Sequence, residues 1–219
     1  MAKVRRAYEV LAPIADQLLA HFREQDLICE VGGSFRRKCA FVGDLDIVVR
    51  CESLHRIELP SWLVFTRLGE QVAQAQMLMP DGGVLTVDVW AATERQWGAF
   101  LWYITGSKEL NVAMRRMASV KGLKLSQFGL FNDDTQIDDG TERGVAAALG
   151  MDWIDPEKRS WGTPTDVPLR KVRVASSSGD GSYLVAEFPD KFVCTCPHHT
   201  YRRVECKHIR QVRDSLAVI

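Results

Sequence analysis

Two apolar segments of this chain carry acids among residues built for a sheet interior, and they constrain the fold more than any other feature. They are Val42-Gly43-Asp44-Leu45-Asp46-Ile47-Val48-Val49 and Val87-Asp88-Val89. Side chains in a strand alternate between faces, so Asp44 and Asp46 share one face at ~6–7 Å while Leu45, Ile47 and Val49 turn to the core. Val87 and Val89 do the same around Asp88. Carboxylates set side by side repel, and the arrangement is costly unless a cation lies between them. A sheet with one apolar face and one acidic strip is a hard-oxygen site, suited to Mg²⁺ held together with substrate phosphates. Alone, an Asp-x-Asp is commonly a pair of exposed turn or edge-strand residues. The apolar strand around it distinguishes this one.

Ahead of the first acids stands Val31-Gly32-Gly33-Ser34-Phe35-Arg36-Arg37-Lys38. Gly33 and Ser34 offer backbone and hydroxyl donors, and Arg37 a forked guanidinium for a phosphate. Phosphoryl transfer asks a protein mainly for metals and for donors that hold the phosphates, so the two segments suit that chemistry together. Gly-Gly-Ser by itself is a generic turn.

The rest of the chain reads as mixed α+β. Val4, Leu11, Ile14, Leu18, Leu19 and Phe22 recur at helical spacing and predict a helix over 3–25. Strands are expected at 41–50 and 84–90, with shorter ones at 63–65 and 75–79 and a turn at Pro80-Asp81-Gly82-Gly83. Thr93 and Gln96 suggest a capping box that opens a helix through Ile104, and a second helix runs from Ser107 to Lys121 until Gly122 stops it. Short strands are expected at 125–131 and around Trp153-Ile154. Residues 160–168, with two prolines and a glycine, read as a linker. Beyond it lie strand candidates at 171–176, 183–188 and 191–194, then a helix near 206–216. Globular composition, no apolar stretch near the ~20 residues of a membrane span, and no secretion signal lead to the expectation of a cytoplasmic protein.

From Gly33 onward the sequence resembles the family X DNA polymerases. Gly33-Ser34 before Arg36-Arg37, then Gly43-Asp44-Leu45-Asp46, is similar to the family's palm motif, and Asp88 to its third metal-binding carboxylate. Gln96-Trp97-Gly98, Tyr103-Ile104-Thr105-Gly106-Ser107-Lys108, Asn111 and Arg115 resemble its thumb-side stretch. Residues 121–126, Gly129-Leu130-Phe131, Thr141-Glu142 and 149–156 continue the likeness, which covers roughly 1–159.

The resemblance implies a nucleotidyltransferase palm (a mixed sheet with flanking helices) over 1–105 and a small α/β thumb lobe over 106–159. It implies that Asp44 and Asp46 hold two Mg²⁺ ions, with Mn²⁺ as a substitute, and that Asp88 binds the catalytic one near the primer 3′-hydroxyl. Gly33, Ser34, Arg37 and Gly43 would contact the β- and γ-phosphates. Tyr103 and Gly106 would lie against the sugar, Asn111 at the base edge and Arg115 on the template side. Asn111 and Arg115 also share a helix face by their spacing, beside an apolar face of Leu110, Met114 and Met117. Departures fall at Ile104, where an aromatic is common in the family, at Lys108, where some members have an acid, and at Thr86, where some have an arginine. They bear on selectivity more than on chemistry. Since the chain begins almost at the palm, no lyase domain and no 5′-deoxyribose-phosphate removal are expected.

Six cysteines divide into two groups. Cys29, Cys39 and Cys51 are scattered and read as buried or free thiols. Cys194-Thr195-Cys196 and Cys206-Lys207-His208, separated by nine residues, form a Cys-x-Cys…Cys-x-His pattern suited to one closed, four-coordinate Zn²⁺ site. His198 and His199 are spare imidazoles, either of which could replace a ligand; His21 and His55 have no partner in sequence. A module of about fifty residues has a small core, and a metal supplies stability to it. The spacing, with its preceding strands and following helix, resembles the SWIM zinc finger, a small ββα-type module expected over 168–219. SWIM modules are associated with DNA or protein binding.

Zero net charge conceals an asymmetry: residues 1–159 carry net −3 and residues 168–219 net +4. Arg202, Arg203, Lys207 and Arg210, with Arg213 and Tyr201 beside them, suit contact with a DNA backbone, and a solvated helix face is the competing reading. The expectation is therefore a monomeric, template-directed DNA polymerase acting in short-gap repair, cytoplasmic or nucleoid-associated. Its partners would be primer-template or gapped DNA and deoxynucleoside triphosphates, with no membrane. The alternatives are a template-independent or RNA-directed nucleotidyltransferase and a catalytically inactive DNA-binding protein.

Overall fold

The computed structural model describes residues 4–159, 170–176, 181–188, 191–202 and 204–215. The expected linker at 160–167 and Arg203 lie outside the described residues.

The chain opens with a two-residue strand, β1 (Arg6–Ala7), and a helix, α1 (Tyr8–Arg23). The expected helix thus starts later than residue 3. Arg6 is drawn instead into an ion pair with Asp81, with both nitrogen–oxygen distances 3.0 Å, and is only 6% exposed. In α1, Leu11, Ala15, Leu18, Leu19 and Phe22 are buried on one stripe, as a helix lying on a sheet requires.

Next come β2 (Cys29–Val31), a one-turn helix α2 (Gly33–Arg36), β3 (Phe41–Val42), which pairs with β1, and β4 (Asp44–Arg50). A 3₁₀ turn at Leu54–Arg56 leads to β5 (Val64–Leu68), β6 (Val72–Leu78) and β7 (Val84–Ala92). Together they form a mixed five-stranded sheet in the order β2-β4-β7-β6-β5, in which only β4 and β7 run parallel. The β6–β7 hairpin closes where the sequence places its turn, with Met79 N–H donating to Gly83 O at 2.9 Å. One face of the sheet packs on α1 through Leu45, Ile47, Val49, Val87 and Val89, none of them accessible to solvent.

α3 (Trp97–Thr105) crosses the opposite face, setting Phe100 and Leu101 on Val48 and Ala92. Its other side, through Ala99 and Trp102, belongs to a second core with Leu110, Met114, Leu130, Val145, Leu149 and Ile154. A helix shared by two cores is buried along most of its length, which explains its near-continuous apolar sequence; Tyr103 is its exposed position. α4 (Lys108–Val120) follows, its N-terminus capped by Ser107 Oγ, which accepts from Leu110 N–H at 3.4 Å. The small sheet β8 (Lys124–Ser126), β9 (Gly129–Asn132) and β10 (Thr135–Gln136) comes next, then α5 (Glu142–Ala148). Trp153 and Ile154 are not a strand; Ile154 is a buried plug in the second core, 2% exposed, before a 3₁₀ turn at Pro156–Lys158.

Among the described residues, the C-terminal segment forms a three-stranded antiparallel sheet with two helices, one strand and one helix more than a ββα module. Its elements are β11 (Arg170–Ala175), β12 (Ser182–Glu187), β13 (Phe192–Cys194), α6 (Pro197–Arg202) and α7 (Lys207–Asp214). No helix among the described residues is long and apolar enough to cross a membrane.

Candidate active site and metal centre

The parallel pairing of β4 with β7 sets Asp46 level with Asp88 and Asp44 level with Thr86. Residues paired this way point to the same side of a sheet. Because Leu45, Ile47, Val87 and Val89 are fully buried on the α1 side, all three aspartates lie on the other face, each half-buried. Asp88 therefore stands beside the first two acids and not in the core.

The glycine loop reaches this strip directly. Gly32 N–H donates to Asp46 O at 2.7 Å. Gly33 follows at φ +60°, so close that a Cβ would meet the Asp46 Oδ2 at 2.4 Å. Only glycine combines that conformation with that approach. The carboxylate's other oxygen, Oδ1, accepts from the Trp90 indole N–H at 3.4 Å. A half-buried row of carboxylates with a glycine backbone against it fits a hard dication that also holds phosphates. Ser34 lies within α2 and Gly43 at the break between β3 and β4.

Arg36 and Arg37 diverge from the end of α2. Arg37 donates to Thr105 O, and its guanidinium sits 3.2 Å from where a Gly106 Cβ would be; its Nε is buried with no hydrogen-bond partner among the described residues. Arg36 turns the other way, bidentate onto Glu142 at 2.8 and 2.7 Å and onto Thr105 Oγ1 at 2.9 Å. Arg159 completes the cluster: it donates to Glu142 at 2.8 Å, its side chain fully buried between Trp102 and Trp153, 3.4 and 4.9 Å from their ring centres. Burial pushes the Glu142 pKa up, but the hydrogen bond from Arg36 and the charges of Arg159 and Arg36 outweigh it and hold the carboxyl below its ordinary value. Burial draws Arg159 down to about 10 against the pull of Glu142. This buried ion cluster ties α2 to α3 and α5. Close packing supports it: a Cβ on Gly98 would lie 2.1 Å from the Thr141 backbone, so only glycine allows the start of α3 to approach the cap of α5 this closely.

Tyr103, Asn111 and Arg115 come together on one side of this assembly, around a small cleft between α3, α4 and β8. Asn111 Nδ2 donates to Tyr103 O at 2.7 Å, and Arg115 is exposed one turn on.

In the C-terminal segment Cys194, Cys196, Cys206 and His208 bring their ligand atoms within 4.8 Å of one another, all four side chains buried. His208 Nδ1 lies 3.8 Å from both Cys194 Sγ and Cys206 Sγ. Metal–ligand bonds of ~2.3 and ~2.0 Å give tetrahedral edges of roughly 3.5–3.8 Å, close to the two His208–cysteine distances. Burial raises the Cys194 thiol to about 12 and lowers His208, with Lys207 adding to the latter. The spare imidazoles stay out of the cluster. His199 Nδ1 bonds Val204 O at 2.8 Å, and His198 is exposed. Arg202, Lys207 and Arg210 are all exposed on α6 and α7, although Arg210 and Arg213 lean on Glu205 at 3.6 and 2.6 Å.

Sequence reasoning gave no role to Trp90, Glu142 or Arg159. Trp90 was within reach, being two residues past Asp88 in the same strand. Glu142 follows a helix-capping threonine and reads as an ordinary first-turn acid, and nothing in the local sequence marks Arg159.

Residues 100–160 match the family model described as DNA polymerase beta thumb. The chain is 29% identical over 198 residues, 78% of its length, to "DNA polymerase/3'-5' exonuclease PolX" of Bacillus subtilis, of which the match covers 34%. It is 38% identical over 63 residues, 29% of its length, to "DNA polymerase IV" of Saccharomyces cerevisiae, of which the match covers 11%. The chain thus spans well under two thirds of either relative.

Proposed function

We propose that this chain is a DNA polymerase of the family X type, adding deoxynucleotides to a primer 3′-hydroxyl under the direction of a template in short-gap repair. The observation that carries the reading is the level pairing of Asp46 with Asp88 on parallel strands, on the face that the glycine loop approaches. The similarity to two DNA polymerases supports it.

On this reading residues 1–105 are the palm, 106–159 the thumb, and 168–219 a SWIM-type module joined through 160–167. Asp44 and Asp46 hold both divalent cations, Mg²⁺ or Mn²⁺, and Asp88 holds the one nearest the primer. Bound there, the cations would activate the attacking hydroxyl and neutralise charge on the phosphates. Gly33, Ser34 and Gly43 donate to the β- and γ-phosphates, and Arg37, already anchored at Thr105, presents its guanidinium to them. Tyr103 and Gly106 bound the sugar. Asn111 leaves the Tyr103 carbonyl to meet the base edge, and Arg115 faces the template.

Cys194, Cys196, Cys206 and His208 hold one structural Zn²⁺, and Arg202, Arg203, Lys207 and Arg210 grip the DNA backbone. The enzyme works as a monomer in the cytoplasm or at the nucleoid. Primer extension with Mg²⁺ on gapped, recessed and blunt DNA tests the reading. Incorporation of the templated deoxynucleotide, fastest in the gap, is expected. Addition without regard to template would overturn template direction, ribonucleotides used equally well would overturn the preference for deoxynucleotides, and no incorporation on any substrate would overturn the polymerase reading.

A further inference from the structure

Asp46 is held from two sides. Its Oδ2 lies against the Gly33 backbone, and its Oδ1 takes the Trp90 indole N–H at 3.4 Å. Trp90 is level with Val48 in the strand pairing, one same-face step from the Asp46–Asp88 pair, so its ring reaches back over the acid. The ring packs on Phe100 of α3, centroid to centroid 5.9 Å. Four residues further along α3 is Ile104, whose side chain would touch a Cβ on Gly32. The indole is therefore wedged between the helix that carries Tyr103 and the carboxylate strip.

The chemistry of the donor matters. An arginine or lysine at this place would neutralise the carboxylate and compete with a cation for it. Indole donates one hydrogen bond, carries no charge and cannot titrate. It fixes the carboxylate's rotation without neutralising the charge that would hold a metal. At 3.4 Å the bond is long for one to a carboxylate, and the packing on Phe100 keeps the indole in place to make it.

We infer that Trp90 is a positioning residue that presets Asp46 for divalent-metal binding and couples it to the seating of α3. The inference rests on the carboxylate strip being a metal site, as proposed above. The test is direct Mn²⁺ binding, followed by electron paramagnetic resonance of the free ion on the full chain, with Asp46→Asn as reference. Wild type is expected to bind Mn²⁺ at a site that Asp46→Asn removes. Trp90→Phe, which keeps the packing on Phe100 but lacks the N–H, is expected to bind about tenfold more weakly. Trp90→His, which restores a ring donor, should recover part of the loss. In primer extension the half-saturating Mg²⁺ concentration should rise about tenfold in Trp90→Phe, while incorporation at saturating Mg²⁺ falls less than about threefold. A loss of packing alone would depress incorporation at saturating Mg²⁺ as well.

Equal Mn²⁺ affinity in wild type and Trp90→Phe overturns the inference and leaves the metal-site reading standing. No Asp46-dependent Mn²⁺ binding in wild type overturns both. Should Trp90→Phe not fold, the indole N–H resonance of Trp90, assigned through its contact with Phe100, serves instead. It is expected to shift with Mg²⁺ in wild type and not in Asp46→Asn, and a resonance indifferent to Mg²⁺ in wild type would refute the role.

Discussion

The two candidate metal sites of this molecule gather their ligands by opposite routes. In the five-stranded sheet, register aligns Asp44, Asp46 and Asp88, and the core that enforces the register lies on the far face, under α1. The acids are half-buried and no part of that core. In the C-terminal segment the ligands are themselves core: Cys194, Cys196 and Cys206 are at most 2% exposed and cluster with Val174, Val185, Ile209 and Val212. Among the described residues, Val172, Tyr183 and Phe192 are the partly buried apolar side chains that add to this cluster. In the first site the fold holds the ligands, and in the second the ligands hold the fold.

The sharpest test of this contrast removes one ligand from each site. Asp88→Ala is expected to cut nucleotide incorporation by at least about 10³-fold, since a metal clamp is worth several kcal/mol of transition-state stabilisation. Its thermal midpoint should stay within about 2 °C of wild type, because no core contact is lost. Cys206→Ser is expected to do the reverse. Metal analysis should fall from about one zinc per chain to nearly none. Amide exchange in β11–β13 should quicken by at least about 10²-fold, with β4 and β7 unaffected. Melting of the sheet in Asp88→Ala, or unchanged protection of β11–β13 in Cys206→Ser, would break the distinction.

The same contrast explains what the sequence disclosed. Ligand spacing at the C-terminus is local, with Cys-x-Cys and Cys-x-His each on one short segment, so the cluster could be read without knowing the fold. The carboxylates were legible because period-2 alternation puts each acid on the face opposite its apolar neighbours. That β4 and β7 are adjacent and parallel could not be read that way, as it depends on a sheet order no local pattern encodes. The Arg36–Glu142–Arg159 cluster joins residues 106 and 17 positions apart in sequence and was invisible for the same reason. Arg6–Ala7 and Trp153-Ile154 went the other way: tertiary contacts overrode a local periodicity that suggested helix and strand.

That ion cluster is intermediate between the two sites, a polar device buried inside an apolar lobe. Arg36, Glu142 and Arg159 side chains are 14%, 10% and 0% exposed. Removing the acid leaves two buried guanidinium groups uncompensated, so Glu142→Gln is expected to cost about 3 kcal/mol in urea unfolding at neutral pH. The sign of the pH dependence follows from the depressed carboxyl. A group whose folded pKa lies below its unfolded value contributes fully above the unfolded value, 4.5, and loses that contribution as pH falls through the folded one. The gap between wild type and Glu142→Gln should therefore hold steady down to about pH 5 and narrow below it. A gap of the same size at pH 3 would mean the cluster acts through packing on Trp102 and Trp153 and not through charge.

The smallest effect expected concerns what the C-terminal fold is for. If the metal serves only to hold three strands and two helices together, the side chains outside it are available to contact DNA, and α6 and α7 present Arg202, Lys207 and Arg210 there. Glu205 withdraws part of the Arg210 charge, so removing all three cations should act as the loss of about two phosphate contacts rather than three. Replacing them together with alanine should then lower the slope of log affinity against log salt by about 2, and weaken binding to a primer-template roughly tenfold at low salt. Zinc content and incorporation at saturating DNA should not change, since none of the three is among the four clustered Cys and His side chains or the three aspartates. An unaltered salt slope would confine DNA binding to the first 159 residues and leave the exposed cations as a solvated helix face.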